Sequence, residues 1–497
     1  MICFLTLLSV VVKVTQNFKI SFSSDKRMAF SLWHKLIFAL VIIAAVIIGQ
    51  LIVNRTCSFQ VAAVVFRIQM IGLIQTGMFL LSRLIIWRTF VPLVRQLSPQ
   101  CSTSAIHQND SEFSRSQLRK VKNSDLNLSA MNKDEADHVS VTIGKAVLFI
   151  YLCMCHVSYL TNLFLIHTDP HWISMLTYAS FGSYIQLLTG LGMFKLLSLG
   201  ICACQKLRSS SNPWVLSYRH ITALALVYAI AASTVGLYTA SQPPAVKHVT
   251  VKLKDLPSRL DGLSIVQLSD IHLGPTVGKS KLTKIVEIVN TEKPDIVVVT
   301  GDLVDSSVEH LRGAAEPLKD IHSLYGKFFV TGNHEYYTGD VDNWFVYLRS
   351  LGFTILHNSN VRIPSADGHS HICLAGTDDI QADRTRYDGH KFDLDKAVSS
   401  CSSDKPVILL AHQPHAAKMA LDSKYRIDLV LSGHTHGGQM FPMIIGAYFL
   451  NPFYVGLYQY GNRGSQVYVS PGTQYWGIPM RIATSMEITR ITLHKAI

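Results

Sequence analysis

The sequence DIVVVTGDLVD, residues 295–305, joins an apolar run typical of a buried β-strand to a turn rich in aspartate. Stretches with helical periodicity, such as Lys281–Asn290, separate this run from others like it, and the alternation predicts an α/β domain over residues 246–497. About 250 residues are enough for one such domain to have its own core. Four more apolar runs lead into clusters of Asp, Asn, His and Gly, at residues 265–272, 328–335, 408–412 and 429–438.

The position of these polar clusters predicts a common site. In open α/β sheets, ligands bind beyond the carboxyl ends of the strands, so we expect the five clusters to meet at one edge. Each cluster alone is explained as well by a surface turn, because Asp, Asn and Gly are common turn residues. Five clusters in succession, each after an apolar run, make chance a poor explanation.

The residue types in the clusters indicate a metal site. Carboxylates, imidazoles and an amide oxygen suit Mn, Fe or Zn better than a soft thiolate site would. Alternate residues of an extended segment point the same way, so Asp270 and His272 can bind one ion together. His434 and His436 have the same spacing, although in a loop each could bind a different ion. Glycines that permit tight turns and close backbone approach stand at positions 301, 332, 433, 437 and 438.

The order D-x-H, GD, GNHE, H and GHxH resembles the signature of the calcineurin-like metallophosphoesterase superfamily, over roughly Lys247–Ile497. The resemblance implies a two-sheet β sandwich flanked by helices, and two divalent cations. Carried over by motif, one cation is expected at Asp270, His272 and His436, the other at Asn333, His412 and His434, with Asp302 bridging both. His334 matches the family's catalytic histidine.

The resemblance predicts a metal-dependent hydrolase of phosphoric esters. A hydroxide that bridges the two cations is expected to attack phosphorus, while His334 stabilises charge or protonates the leaving group. We interpret Glu335 and Asp305 as supporting residues rather than ligands. The alternative is a domain that binds metal without catalysis and serves as a scaffold or receptor on a membrane anchor. A complete set of motif residues argues against that alternative.

The N-terminal half has the composition of a membrane region. The whole chain is 48% apolar and 16% charged, whereas soluble domains carry about 25% charged residues. A helical span needs about 20 mostly apolar residues. Residues 36–240 therefore form a predicted multi-pass region, with an unassigned segment at 1–35 and a polar loop at 88–145. The predicted spans are residues 36–53, 61–87, 146–166, 173–202 and 221–240.

The charge of the chain predicts how it lies in the membrane. All of the net charge of +12 falls within residues 1–245, which hold 20 Lys and Arg against 8 Asp and Glu. This location indicates membrane orientation and argues against a nucleic-acid partner. Five spans with a basic cytosolic side place the catalytic domain in the lumen or outside the cell. Cys373 and Cys401 could pair there, or remain free thiols.

Two further expectations concern what the protein acts on. Because the protein is expected to contact a lipid bilayer, its predicted substrate is a lipid-linked or membrane-adjacent phosphate ester. The substrate could be a monoester or a diester. A transporter with a phosphoesterase appendage is disfavoured, because charge within the predicted spans is limited to Arg67, Arg83 and Lys195. The stretch Asp378–Asp379, with Arg384 nearby, is interpreted as solvated surface rather than as a specificity loop.

Overall fold

The computed structural model describes the chain over residues 49, 59–87, 89–91, 139, 141–161, 165, 171–208, 215–365 and 367–496. The chain divides into two compact units, Met1–Gly72 and Leu73–Ile497. The second unit contains the α/β domain and three of the apolar helices that precede it.

Apolar helices precede the domain in the part of the chain that is described. They are α1 (Phe59–Leu81), α2 (Val141–Thr161), α3 (Trp172–Leu207) and α4 (Tyr218–Ser241). Among the described residues, α2, α3 and α4 are long and apolar enough to cross a membrane. A π-helical turn, Ser82–Ile86, follows α1.

These helices coincide with four of the predicted spans. Spans 146–166, 173–202 and 221–240 fall on α2, α3 and α4, and span 61–87 falls on α1 and the π-helical turn. The segment 1–35, the span 36–53 except Gly49, and most of the loop 88–145 lie outside the described residues. The count of five spans therefore stays a prediction.

The domain consists of two mixed six-stranded sheets. The strand orders are β1-β12-β2-β3-β4-β5 and β10-β11-β9-β8-β7-β6. In the first sheet β2 to β5 run parallel, with Ile265 opposite Ile296. In the second sheet β11, β9, β8 and β7 run parallel, with Ile408 opposite Leu429. The strands are β1 (Ala245–Leu253), β2 (Ser264–Leu268), β3 (Ile296–Thr300), β4 (Lys327–Val330), β5 (Phe353–Ile355), β6 (Ser359–Pro364), β7 (His371–Gly376), β8 (Val407–Leu410), β9 (Leu429–Ser432), β10 (Gly456–Tyr460), β11 (Ser465–Val469) and β12 (Glu487–Lys495).

Helices cover the outer faces of the two sheets. Side chains such as Val298 and Phe328 from the first sheet pack between the sheets against Ile408 and Leu431 from the second. Strands buried on both faces read as continuous apolar runs, which is why the sequence reveals them. The helices are α5 (Lys279–Thr291), α6 (Val308–Ala315), α7 (Asn333–Thr338), α8 (Val341–Ser350), α9 (Gln381–Thr385), α10 (Leu394–Val398), α11 (Pro414–Leu421) and α12 (Met443–Leu450).

The predicted fold, apolar helices followed by a two-sheet α/β sandwich flanked by helices, is confirmed. The short strands β5, β6 and β10 and the short helices α7 and α9 to α12 were not predicted, whereas α8 was expected, at Val341–Leu351. Each of these elements has few buried residues or is too short for a periodic pattern.

Helices α3 and α4 pack directly on the domain. Glycine allows this close approach: a Cβ on Gly182 of α3 would lie 2.6 Å from Met480 Sδ, and one on Gly236 of α4 would lie 2.7 Å from Ile482 Cγ1. The side chain of Gln186 donates to the carbonyl of Phe441 at 2.8 Å. The domain therefore packs against α3 and α4, through the close approach at the two glycines and the hydrogen bond of Gln186. It is not joined to them by a linker alone.

This seating predicts different effects for two glycines of the same helix. Gly182→Leu should lower the free energy of unfolding by about 1–3 kcal/mol, because the new side chain overlaps Met480. Gly192→Leu should not destabilise the protein, since no atom lies within 4 Å of its Cβ position. Thermal unfolding of the full-length protein in detergent checks this. Equal melting temperatures for the two variants would show that the contact contributes nothing.

Candidate metal centre

All of the predicted site residues lie at one edge of the two sheets, in loops or, for Asn333 and His334, in the first turn of α7. These loops follow the parallel strands β2, β3 and β4 of the first sheet and β8 and β9 of the second. The carboxyl ends of parallel strands share one edge, so loops far apart in sequence meet there. The seven side chains brought together are Asp270, His272, Asp302, Asn333, His412, His434 and His436.

The first group of donor atoms belongs to Asp270, His272 and His436. Their ligand atoms lie within 4.8 Å of one another. The Nε2 atoms of His272 and His436 are 2.9 Å apart, and His436 Nε2 is 3.4 Å from Asp270 Oδ1. Ring nitrogens and a carboxylate that point at one another in this way form a donor set that suits a divalent cation.

The second group contains Asp302, His412 and His434, again within 4.8 Å. Asn333 Oδ1 completes this group, at 2.8 Å from His434 Nδ1 and 3.2 Å from His412 Nε2. Asp302 Oδ2 lies 3.2 Å from His412 Nε2 and 3.6 Å from His272 Nε2. Asp302 therefore stands between the two groups, and the donor atoms of both groups are of types that fit divalent cations.

The backbone at these positions is strained. Five of the seven residues have positive φ, which L-residues other than glycine adopt rarely. Each such position costs on the order of 1–3 kcal/mol and persists only where surrounding structure enforces it. Backbone strain at donor positions indicates a built site and not a chance cluster. The residues and angles are Asp270 (55°), His272 (52°), Asp302 (52°), His434 (73°) and His436 (50°).

Glycine is required where the loops after β2 and β9 touch. A Cβ on Gly433 would overlap both Ser269 Oγ and Asp270 Oδ2. With that space free, the backbone N–H of His434 donates to both carboxylate oxygens of Asp270, at 3.0 and 3.1 Å. Glycine at position 433 therefore allows a backbone hydrogen bond between His434 of the second group and Asp270 of the first.

Glu335 supports the loop after β3. It is fully buried, and its carboxylate accepts from the backbone N–H groups of Asp302, Leu303 and Gly332, at 3.0, 2.8 and 2.6 Å. Burial, with the nearby charge of Asp302, raises the pKa of Glu335 to about 7. These contacts agree with the supporting role expected for Glu335.

Asp305 orients two histidines at once. Its Oδ1 accepts from Nδ1 of His272 and from Nδ1 of His334, both at 2.8 Å. Burial opposes ionisation of this carboxyl, but the two imidazoles outweigh burial and hold the pKa of Asp305 well below its usual range. Because Nδ1 of His272 is engaged in this way, its Nε2 faces the donor group.

His334 lies next to the two donor groups, with a ring nitrogen within 4.8 Å of donor atoms of His272 and Asp302. Burial alone would lower the pKa of His334, whereas the carboxylates of Asp302 and Asp305 raise it to about 9. These carboxylates therefore favour the protonated imidazole. His434 behaves in the opposite way: burial and the charge of His412 lower the pKa of His434 to about 3, which leaves a neutral ring suited to metal binding.

Sequence reasoning missed Arg481, which is fully buried behind His436. Its Nη1 donates to the carbonyl of His436, its Nη2 lies 3.3 Å from His436 Nδ1, and Nη2 also donates to the carbonyl of Gln474. These contacts hold the ring of His436 in place. The only available signal was that Arg481 ends a stretch, residues 464–480, without any charged side chain.

The acidic pair Asp378–Asp379 is not solvated surface, which corrects the interpretation made from its charge. Both residues are buried, and Asp379 Oδ1 accepts from Gln413 Nε2 at 2.8 Å, next to His412. Burial raises the pKa of Asp379 to about 6. Arg384, in contrast, is exposed as expected. Acidic residues with backbone and amide donors around them can be buried, and the sequence does not show those donors.

Trp476 is a second residue that sequence reasoning missed. Its ring centroid lies 5.1 Å from that of His334, and the side chain is about half exposed. It therefore lies at the mouth of the donor groups, where a substrate would pass.

Comparison with known proteins agrees with the fold. Residues 263–438 match the profile of the calcineurin-like phosphoesterase family. The chain is 47% identical to a zebrafish (Danio rerio) transmembrane protein with metallophosphoesterase domain, over 71% of this chain and 80% of the relative. It is 46% identical to the bovine (Bos taurus) protein of that description, over 73% of this chain and 83% of the relative.

Bacterial relatives match a shorter part of the chain, about as long as the domain. An uncharacterized metallophosphoesterase of Helicobacter pylori is 39% identical over 52% of this chain and 66% of its own length. The similarity to the vertebrate proteins, in contrast, extends beyond the domain into the apolar region. This chain belongs to the calcineurin-like phosphoesterase family, as a membrane protein that carries the family's α/β domain after its apolar helices.

Proposed function

We propose that this protein is a membrane-anchored phosphoesterase that hydrolyses a phosphate monoester or diester with the help of two divalent cations. The observation that supports this best is the pair of donor groups around Asp302 with His334, held by Asp305, beside them. The alternative of an inactive metal-binding scaffold is less favoured, because His334 and Asp305 keep an arrangement that metal binding alone does not require.

The residues divide into two cation sites. Asp270, His272 and His436 would hold one cation. Asn333, His412 and His434 would hold the other, and Oδ2 of Asp302, which faces both groups, would be shared. Divalent cations would supply Lewis acidity toward the phosphoryl oxygens and would lower the pKa of water, the two contributions that phosphoester hydrolysis needs. The identity of the cations, among Mn, Fe and Zn, stays open.

His334 is the proposed catalytic residue. As an imidazolium it can stabilise negative charge on phosphoryl oxygens or give a proton to the leaving oxygen. Asp305 holds its Nδ1, so its Nε2–H is the group available to the substrate. The backbone N–H of His334 donates to Asp302 Oδ1 at 2.8 Å, which ties the catalytic side chain to the shared carboxylate.

The side of the membrane on which the domain lies is also a proposal. The structure joins Cys373 and Cys401 in a disulfide, with a Cα–Cα distance of 5.6 Å. Disulfides persist mainly in oxidising compartments. This pairing and the basic loops of the N-terminal half both support a lumenal or extracellular domain.

Two variants should distinguish the effect on kcat from the effect on cation content. His334→Ala should reduce kcat by about 100-fold or more, because the imidazolium is lost, while the cation content persists. Asp302→Asn should reduce both activity and cation content, because the shared carboxylate is lost. Hydrolysis of p-nitrophenyl phosphate and bis-p-nitrophenyl phosphate with Mn²⁺, together with metal analysis, measures both quantities.

A surface histidine provides the control for these variants. His322→Ala alters an exposed side chain away from the donor groups and should leave kcat and cation content unchanged. Loss of cations from His334→Ala would show that His334 is a ligand. Full activity of Asp302→Asn would refute the shared-carboxylate assignment.

Arg481 should tune cation affinity through His436. We expect Arg481→Met to weaken cation binding by about 10–100-fold, because His436 loses the group that orients it. Titration of the cation-free protein with Mn²⁺ by calorimetry measures this. Arg490→Met, which removes a partly exposed ion pair with Glu292, is the matched control. Equal affinities in the two variants would contradict the orienting role.

The disulfide offers a test of membrane side. In sealed vesicles prepared with the cytosolic face outward, Cys373 and Cys401 should not react with a membrane-impermeant maleimide, even after treatment with an impermeant reductant. After the vesicles are opened, reduction should make the partly exposed Cys401 reactive, and unfolding in urea should expose the buried Cys373 as well. Mass spectrometry of the labelled peptides reads this out. Labelling in intact vesicles would place the domain in the cytosol.

A further inference from the structure

Helix α12 leaves its apolar side chains uncovered. None of its residues is buried, and Phe449 and Leu450 are 77% and 75% exposed. Ile445 and Tyr448 are exposed as well. No part of the described structure covers these side chains. Contiguous exposed apolar surface of this kind is rare on water-facing monomers and marks a contact with a partner or a membrane.

The segment around α12 also lacks charge. No Asp, Glu, Lys, Arg or His lies between His436 and Arg463, nor between Arg463 and Arg481. A protein-binding site usually has a charged or polar rim, whereas insertion among acyl chains is favoured by the absence of charge. The composition therefore favours a lipid surface over a protein partner.

Helix α12 begins beside the apolar helix α3. The carbonyl of Phe441, two residues before α12, accepts from Gln186 of α3, and Met440 lies in the same apolar cluster as Tyr184 and Leu187.

Helix α3 packs on the domain along part of its surface, as Gly182 does on Met480, and leaves apolar side chains such as Leu176, Leu196 and Leu197 exposed, as expected for lipid contact. Helix α12 therefore begins beside a helix whose uncovered apolar side chains suit contact with acyl chains.

Helix α12 is in direct contact with the metal-ligand loop. A Cβ on Gly438, two residues after His436, would lie 2.6 Å from the backbone nitrogen of Ile444 in α12. The side chain of Gln439 joins this loop to the backbone of Trp476. Its Oε1 accepts from the backbone N–H of Trp476 at 2.8 Å, and its Nε2 donates to the backbone carbonyl of Trp476 at 3.0 Å. The mouth of the site, marked by Trp476 beside His334, is thus built on the segment that carries α12.

We propose that α12 inserts into the bilayer surface and that the metal centre acts there on a phosphate ester that carries acyl chains. The substrate part rests on the proposed phosphoesterase function, whereas the insertion rests on geometry and composition alone. In the reaction, the oxygen of water bonds to phosphorus, and the bond from phosphorus to the leaving oxygen breaks. One proton of the water then resides on the released alcohol.

Insertion is tested first, by a measurement that needs no activity. F449W and L324W each add a tryptophan at an exposed apolar position of the full-length protein, and Leu324 precedes β4 at the sheet edge opposite the metal centre. In vesicles with brominated acyl chains, the emission added by F449W should be strongly quenched, and that added by L324W should not. Equal quenching of the two would overturn the insertion.

The substrate class is tested by comparing long and short acyl chains on the same headgroups. Dioleoyl phosphatidic acid and dioleoyl phosphatidylglycerol in vesicles serve as the bilayer monoester and diester, and their dibutyryl forms as soluble counterparts. F449S/L450S should lower kcat/KM for the dioleoyl substrates by about tenfold or more, because the anchor at the surface is weakened. Activity on the dibutyryl substrates should be unchanged.

A second double variant controls for loss of exposed apolar side chains in general. L324S/V346S alters two exposed residues away from α12 and should leave all activities unchanged. If F449S/L450S lowered kcat/KM equally for dioleoyl and dibutyryl substrates, or lowered it for neither, the proposal of an acyl-chain substrate would be overturned. Absence of wild-type activity on every phosphate ester would contradict the proposed function, while the quenching result would still decide the insertion.

Discussion

Seven nitrogen- and oxygen-bearing side chains face one another at the shared edge of the two sheets, and this crowding is the constraint on which the rest of the domain depends. Ring nitrogens 2.9 Å apart, as in His272 and His436, can form a hydrogen bond only when one of the two carries a proton. Their loops nevertheless hold them there, at the expense of five positive φ angles. The buried parallel strands supply the rigidity that makes this possible.

The support for the donor groups extends outward in layers of hydrogen bonds. Glu335 fixes the loop of Asp302 through three backbone N–H groups, and Asp305 fixes His272 and His334. Arg481 fixes His436, and its own backbone N–H donates to Gly236 in α4 at 3.0 Å. The chain of contacts from the donor groups therefore ends on an apolar helix. In this protein the membrane region is part of the framework of the site.

Much of the fold could be predicted because the buried parallel strands have continuous apolar sequences, and each is followed by polar residues of the candidate site. Strand β3 and the loop to Asp302 are the clearest case. Other elements gave no such pattern. Helix α12 is apolar but unburied, and strand β6 mixes polar and apolar residues, so neither has the periodicity of a half-buried element. Asp378 and Asp379 read as surface, since their hydrogen-bond partners come from distant segments.

The amino-acid sequence by itself determined the class of the fold, the order of the strands along the chain and the kinds of donor at each strand end. These are local properties of composition and spacing. The tertiary structure alone decided which donors share a group, that Arg481 lies behind His436 across 45 residues of chain, and that α12 lies beside α3. Such facts depend on which segments pack together, and packing partners distant in sequence leave no local signature in a single chain.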